Sequence, residues 1–150
     1  MTGSRNIDVP EDGDACAFCD YLAGRRPYSI VCRSNITAIL VTREQRGIAH
    51  VLVMPLRHCR TILDLTIAEA NALMQTVIHA ARAIDLSEQR PGIAIWQNNG
   101  VPASQTIAHV HFHVAGTLPG GGTNWEDVGE FSVDDTDAIA ARLRPYLPID

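Results

Sequence analysis

Short runs of apolar residues, several of them alternating with polar ones, recur along the chain and are typical of β-strands. The runs are rich in Val and Ile and cover about Ser29–Arg33, Thr37–Thr42, His50–Pro55, Ile93–Asn98 and His109–Ala115. Ser34-Asn35 lies between the first two runs and favours a hairpin turn. The pattern therefore predicts five strands.

Two segments show a helical period instead. The longer one covers Thr66–Ile84, and Thr66 and Glu69 have the spacing of a capping box at its start. A shorter helix is predicted over about Asp134–Leu143, before Pro145. The apolar period of the long helix predicts a buried stripe of Leu73, Met74, Val77, Ile78, Ala81 and Ile84.

The domain organisation is simple. Residues 1–14 are polar and acidic and are interpreted as a flexible lead, and residues 15–150 as a single domain without internal repeats. The stretch "TLPGGGTNW" (117–125) is rich in glycine but lacks the Lys-Ser/Thr ending of a phosphate-binding loop and precedes no predicted helix. We interpret it as a mobile flap beside a site.

Composition narrows the function classes. The chain is 46% apolar and 19% charged, which is typical of a globular protein. A net charge of −5 and a pI near 5.6 disfavour nucleic acid and anionic membranes as partners. We expect no signal peptide, no membrane span and a cytoplasmic location. In that reducing compartment the four cysteines are expected to be thiols or metal ligands.

The stretch "AHVHFHVAG" (108–116) carries the strongest chemical signal. It places His109, His111 and His113 at every second residue, and on a regular strand all three would share one face. Three interpretations are open: a polar stripe without chemistry, a metal site, or a catalytic nucleophile.

The geometry of a strand bears on the metal-site interpretation, and the chemistry of imidazole bears on the nucleophile interpretation. Two imidazoles at i and i+2 can converge on one ion, but a third at i+4 on the same strand joins them only with strain. A neutral imidazole is also a good nucleophile toward phosphorus, provided that donors surround the phosphoryl oxygens. Asn98, Gln105 and Thr106 lie just upstream and could supply such donors.

The "CAFC" segment (16–19) has three interpretations as well: a redox pair, plain buried thiols, or half of a tetrahedral zinc site. The redox pair would need a strand–helix context that is not evident here. Cys32 and Cys59 lack metal-ligand spacing and are expected to pack.

Several motifs together resemble the histidine triad (HIT) family. The segment from His109 to Ala115 fits its His-x-His-x-His-apolar-apolar signature, and "SQTIAHVHFHV" extends the match upstream. "HVLVMPLRH" (50–58) is similar to the family's His-x-Leu-Val-x-Pro-x-x-His segment. The resemblance runs from about Cys16 to Gly116.

The resemblance implies an α+β fold with a five-stranded antiparallel sheet, one long helix and a short C-terminal helix, with the sheet extended across a homodimer. It implies that His111 attacks the α-phosphate of a nucleotide while a neighbouring carbonyl orients its ring. Phe18 and Tyr21 coincide with positions that line the base pocket. The phosphate oxygens would be held by His113, Gln105, Thr106 and Asn98.

Certain prokaryotic members of the family carry a structural zinc, and the resemblance assigns its ligands to Cys16, Cys19, His50 and His109. His109 would then serve the metal, leaving His111 and His113 for phosphate. His58 is expected at the pocket rim or in a structural role. Arg43 stands where many relatives place an Asp that binds the ribose hydroxyls.

The expected function is that of a nucleotidyl hydrolase or transferase that forms a covalent His111–nucleotide intermediate and releases a nucleoside monophosphate. The substrate would be a purine nucleotide: a nucleoside phosphoramidate, an aminoacyl-adenylate or a dinucleoside polyphosphate. Two alternatives remain, a non-catalytic nucleotide-binding or adaptor protein and a hydrolase that uses zinc-bound water.

Overall fold

The computed structural model describes residues 6–11 and 15–148. Within them the chain forms five strands and three α-helices. The strands are β1 (Ser29–Arg33), β2 (Thr37–Val41), β3 (Ile48–Pro55), β4 (Ile93–Gln97) and β5 (Phe112–Gly116). The helices are α1 (Ala17–Leu22), α2 (Ile67–Glu88) and α3 (Val133–Leu143).

The five strands form one antiparallel sheet in the order β1-β2-β3-β5-β4. The predicted fold class is thereby confirmed. Strands β3 and β5 lie at the centre and have neighbours on both sides, whereas β1 and β4 are edge strands. No helix in the described part of the chain is long and apolar enough to cross a membrane.

Both faces of the sheet are covered, by different helices. Alternation in β3 sends Val51 and Val53 into a core with α2 and α3, and sends Leu52 and Met54 into a second core with Phe18 of α1. A central strand with two buried faces reads as a nearly continuous apolar run. His50 and His113 occupy the second face, where a histidine must find hydrogen-bond partners.

Helix α2 starts at the predicted capping box, in which the Thr66 hydroxyl accepts from Glu69 N–H and the Glu69 carboxylate accepts from Thr66 N–H. Its predicted stripe is partly wrong, because Met74 and Ile78 are exposed. The buried line runs through Leu73, Val77, Ala80, Ala83 and Ile84. At 100° per residue, Ile67, Met74 and Ile78 form a second apolar line about 125° away from the first.

The histidine-rich strand begins later than predicted. His109 N–H donates to Ile107 O at 2.8 Å and Val110 N–H to Cys59 O at 2.7 Å, so the backbone bends there and pairs with β3 and β4 from Phe112 onward. Only His113 of the three histidines lies in β5. The three rings therefore do not form one stripe on a regular strand.

Part of the predicted lead contacts the domain. Asp8 O accepts a hydrogen bond from Val101 N–H at 2.6 Å, and Ile7 lies against Gly100. Residues 1–5 and 12–14 of that lead lie outside the described residues. Ile7 and Asp8 thus lie beside the loop that follows β4.

Candidate active site and metal cluster

A β-bulge aims His50 into the sheet's second face. Ala49 has φ of 53°, and the pairing of β3 with β5 shifts between Ile48 and Val51. The Gln45 side chain braces the bulge by accepting from His50 N–H at 2.9 Å and donating to His50 O at 2.8 Å. His50 is consequently buried and fixed in orientation.

The hydrogen bonds of His50 set the tautomer of His113. Arg46 N–H donates to His50 Nδ1 at 3.1 Å, so Nδ1 carries no proton and Nε2 carries it. His50 Nε2–H then donates to His113 Nδ1 at 3.0 Å. His113 Nδ1 is thus an acceptor, and the proton of the neutral ring lies on Nε2, where it is an N–H donor.

Burial keeps both of these rings neutral. It lowers the pKa of His50 to about 3, with the nearby Arg46 charge adding to the effect. It lowers the pKa of His113 to about 2, assisted by His111 and His50. The plane of His113 is fixed by Trp96 of β4, whose ring is stacked on it at 4.7 Å and 4°.

A backbone carbonyl sets the opposite tautomer in His111. His111 Nδ1 lies 2.7 Å from His109 O, and because a carbonyl only accepts, Nδ1 carries the proton. Nε2 of His111 therefore holds a lone pair. Burial lowers the pKa of His111, which keeps that nitrogen unprotonated. The two neighbouring rings, 4.9 Å apart, present one nucleophilic nitrogen and one N–H donor.

Four side chains, including that of His109, form a second group. The ligand atoms of Cys16, Cys19, His58 and His109 all lie within 4.8 Å of one another. His109 Nε2 donates to Pro55 O at 2.9 Å, which leaves its Nδ1 free of a proton and directed at the two thiols. We call these four residues the metal cluster.

The spacing in the metal cluster fits tetrahedral zinc. The His109 nitrogen lies 3.4 Å from Cys16 Sγ, 3.5 Å from Cys19 Sγ and 3.4 Å from His58 Nδ1. Zn–S and Zn–N bonds of about 2.3 and 2.05 Å give tetrahedral S···N and N···N edges of about 3.5 and 3.3 Å. Burial and the neighbouring Cys16 raise the pKa of Cys19 to about 12, a cost that a bound cation would reverse.

His50, predicted as a zinc ligand, does not lie among the four residues of the metal cluster. Both of its ring nitrogens are engaged with Arg46 and His113, and His58 holds the fourth position of the metal cluster. His58 follows Pro55 by three residues, and Pro55 is the residue whose carbonyl orients His109. The Pro-x-x-His spacing was the sequence signal for this ligand.

Gln105, predicted to hold phosphate, makes three hydrogen bonds to backbone groups. Its amide donates to Arg60 O at 2.8 Å and to Ile107 O at 3.0 Å, and its carbonyl accepts from Gly100 N–H. Both N–H donors and the carbonyl of the side-chain amide are thus bonded to backbone groups. In this structure the side chain stabilises the loop before His109.

Of the other predicted phosphate and base residues, Phe18 contacts His111. Asn98 donates to Ala103 O at 2.8 Å, while Thr106 is exposed, and a role for each in phosphate binding stays a prediction. Phe18 presents its ring edge-to-face against His111 at 4.9 Å. Tyr21 lies 6.2 Å from the Phe18 ring and is stacked on Tyr28 at 3.9 Å, and its place in a base pocket stays a prediction.

Two further features lie away from the triad. Arg43 donates to Phe131 O at 2.7 Å and pairs with Glu130, which directs its charge toward the segment before α3. A cleft of about 700 Å³ lies between the β1–β2 turn and α2, lined in part by Cys32, Asn35 and His79. Neither includes a residue of the triad or of the metal cluster.

Comparison with solved structures places the chain in a class of α+β proteins built on this sheet. It superposes on a HIT-like protein from Bartonella henselae with a TM-score of 0.82 at 21% identity, covering 90% of this chain and 98% of that one. A zinc-bound histidine triad family protein from Mycobacterium smegmatis gives 0.76 at 21% identity, covering 89% and 93%.

The HIT domain family model matches residues 24–119, and the chain belongs to this family. An uncharacterised HIT-like protein of Mycobacterium tuberculosis is 39% identical over 104 residues, covering 66% of this chain and 69% of its own length. An adenosine 5′-monophosphoramidase of Candida albicans is 26% identical over 104 residues, covering 67% and 68%. The relatives thus include a named hydrolase of a nucleotide.

Proposed function

We propose that the protein is a nucleotidyl hydrolase or transferase that attacks the α-phosphate of a purine nucleotide through His111. The observation that carries the proposal is the bond between His111 Nδ1–H and His109 O at 2.7 Å. It directs the lone pair of Nε2 away from the backbone in a ring that burial keeps neutral. An imidazole held in this way is an activated nucleophile.

The reaction proceeds in two displacements. In the first, His111 Nε2 forms a bond to phosphorus, and the bond from phosphorus to the leaving group breaks with its electron pair going to the leaving group. In the second, water attacks phosphorus, the P–N bond returns its electrons to Nε2, and the proton of water balances the departed leaving group. The products are a nucleoside monophosphate and the protonated leaving group.

Charge in the transition state collects on the phosphoryl oxygens, so donors aimed at them lower the barrier. His113 supplies one, because its Nε2–H is fixed by the hydrogen bond from His50 and its plane by Trp96. Asn98 and Thr106 are proposed as further donors. Phe18 is proposed to line the base pocket, since its ring already contacts His111.

The metal cluster is proposed to hold a structural zinc. Its four protein ligands fill all tetrahedral positions and leave none for water, which is typical of structural sites. This argues against a hydrolase that uses zinc-bound water. The solved M. smegmatis family member with bound zinc supports the choice of metal.

We also propose a homodimer. Edge strand β4 exposes Ile95, and α2 exposes Met74 and Ile78 on its second apolar line. Pairing of two β4 edges would satisfy unpaired backbone groups and cover these residues.

The test is a substrate panel run on the wild-type protein and on His111→Ala. Adenosine and guanosine phosphoramidates, an aminoacyl-adenylate and a dinucleoside polyphosphate share the α-phosphate and differ in the leaving group. Loss of the nucleophile should reduce kcat by at least about 10³-fold, and acid-labile nucleotide should be trapped on wild type alone. His79→Ala on α2 is the matched control.

Full turnover by His111→Ala would refute the covalent route. Tight nucleotide binding by wild type without turnover of any member of the panel would favour the non-catalytic alternative. The leaving group that gives the highest kcat/KM identifies the substrate class.

A further inference from the structure

The loop that leads from β4 toward the triad, residues 98–106, has a defined and partly strained conformation. Gln97 ends β4 and pairs with β5, so the loop starts beside the strand that carries His113. Two residues of the loop have positive φ, Gly100 at 95° and Ser104 at 70°. A serine in the left-handed region is strained, so contacts around the loop must hold it in this form.

The loop contains one turn of 3₁₀ helix, Val101–Ala103, that has no side-chain cap. Its N-cap residue is Gly100, which has no side chain to accept a hydrogen bond. Pro102 has no N–H, and Ala103 N–H donates to Gly100 O at 3.0 Å. Among these three residues, all of them in the described part of the chain, Val101 is the one whose N–H finds no acceptor within the loop.

A segment from the beginning of the chain supplies that acceptor. Asp8 O accepts from Val101 N–H at 2.6 Å. A Cβ placed on Gly100 would lie 3.1 Å from Ile7 Cγ2 and 3.4 Å from Asp8 O, so the segment packs closely on the backbone of the loop. We call Ile7 and Asp8 together the clasp.

The loop is thus held at two adjacent residues by different parts of the chain. Gln105, from within the loop, accepts from Gly100 N–H through its side chain and donates to Gly100 O through its own N–H. The clasp binds the next residue, Val101, from outside the loop. Gln105 therefore fixes the loop internally, and the clasp fixes it to the beginning of the chain.

We propose that the clasp positions the 98–106 loop for binding the phosphate of the substrate. The inference rests on the proposed function, which assigns phosphate donors to Asn98 and Thr106 at the two ends of this loop. A loop that is ordered before the substrate arrives loses less conformational entropy on binding, so its affinity for the substrate is higher. Ile7 and Asp8 are positioning residues, because they act through the loop and not on the substrate.

The clasp acts on one half of a nucleotide. The phosphate is proposed to contact the 98–106 loop, whereas the nucleoside is proposed to contact Phe18 of α1. Loss of the clasp should therefore weaken the binding of AMP and leave the binding of adenosine unchanged. A general loss of folded structure would weaken both.

The test uses two variants that break the clasp at different atoms. Val101→Pro removes the N–H that donates to Asp8 O, and proline is favourable at the first position of a helical turn. Gly100 has ψ of 152°, which is compatible with a proline after it. Ile7→Ala removes the side chain that packs on Gly100. In isothermal titration calorimetry each variant should raise the Kd of AMP about fivefold, the effect of one hydrogen bond, and change the Kd of adenosine less than twofold.

Glu11→Gln is the matched control, because Glu11 lies in the same segment, is exposed and is not part of the clasp. It should leave both dissociation constants unchanged. Equal losses of affinity for AMP and adenosine in the clasp variants would show a merely structural role and overturn the proposal. So would an AMP affinity that is unchanged or higher in both variants.

Hydrogen exchange of the ligand-free protein measures the clasp itself. The Val101 amide should be protected in the wild type, and Ile7→Ala should speed its exchange about fivefold while the amides of β3 stay unchanged. Exchange of Val101 in the wild type at the rate of an unstructured peptide would refute the clasp. Neither measurement needs turnover, so a wild type that hydrolyses no nucleotide would refute the catalytic proposal, while the ratio of AMP to adenosine affinity still decides the role of the clasp.

Discussion

The metal cluster and the His111–His113 pair both contain histidines, but the two sites use the imidazole ring differently. In the cluster, Pro55 O takes the Nε2 proton of His109 and leaves Nδ1 for the thiols. In the pair, His109 O accepts the Nδ1 proton of His111 and leaves Nε2 as the proposed nucleophile. The chemistry of each imidazole is thus decided by which of its nitrogens a backbone group holds.

The comparison also separates His50 from His58, which the sequence places eight residues apart. His50 serves the pair through His113, and His58 serves the metal cluster. Substitution of each should therefore cause a different loss.

The largest expected effect is on the metal cluster. His58→Ala removes one of four ligands and should cause loss of zinc and a fall of several kcal/mol in the free energy of unfolding, because a structural metal contributes directly to folding. Metal content by atomic absorption and denaturant unfolding check this. If His58→Ala retains zinc while a His50 variant loses it, the assignment of ligands is wrong.

The reciprocal substitution, His50→Leu, should keep zinc and lower kcat about tenfold to a hundredfold. One hydrogen bond to a group that stabilises charge is worth roughly 1.5–3 kcal/mol in a buried site. His50→Gln retains an amide donor and should recover part of the loss. An effect confined to KM would contradict a role in orienting His113.

An intermediate effect is expected on the pH dependence of stability. His50 and His113 have folded pKa values of about 3 and 2, below the ordinary value near 6.5. The unfolded chain then binds more protons below pH 6.5. The stability from keeping these rings neutral is full above that pH and is lost as the pH falls toward 3.

Each such ring contributes a slope of up to about 1.4 kcal/mol per pH unit. His113→Gln removes one titrating group and should make the decline between pH 6 and 4 shallower by up to that amount. Denaturant unfolding at several pH values measures it. An unchanged slope would show that His113 is not held neutral by burial.

The smallest expected effect is at the bulge that directs His50 toward the pair. Ala49 has φ of 53°, a conformation that costs an L-residue roughly 1–2 kcal/mol and glycine much less. Ala49→Gly should stabilise the fold by up to about 1 kcal/mol, after the entropy of glycine is included, with kcat unchanged. A fall in kcat would mean that the alanine itself holds the register.

The strands and the long helix could be predicted because each depends on the local period of apolar residues. The capping box could be predicted because Thr66 and Glu69 have its characteristic spacing. Met74 and Ile78 were misplaced because a period of 3.6 does not show which of two apolar lines meets the sheet. The ring assignments of His50 and His58 depend on hydrogen bonds to residues that only the folded backbone brings near. The hydrogen bonds of Gln105 could not be predicted for the same reason, since its partners Arg60 and Gly100 are distant or in another turn.

Arg46 contacts both the 117–125 loop and His50, the residue that sets the tautomer of His113. It uses its side chain for the loop and its main chain for His50. Its guanidinium holds Asn124 and Glu126, but the bond to His50 comes from its main-chain N–H, which nearly every amino acid possesses. Mutation at this position can remodel the loop while the donor to His50 persists. A substitution at residue 46 can therefore change the loop without removing the hydrogen bond that sets the tautomer of His50.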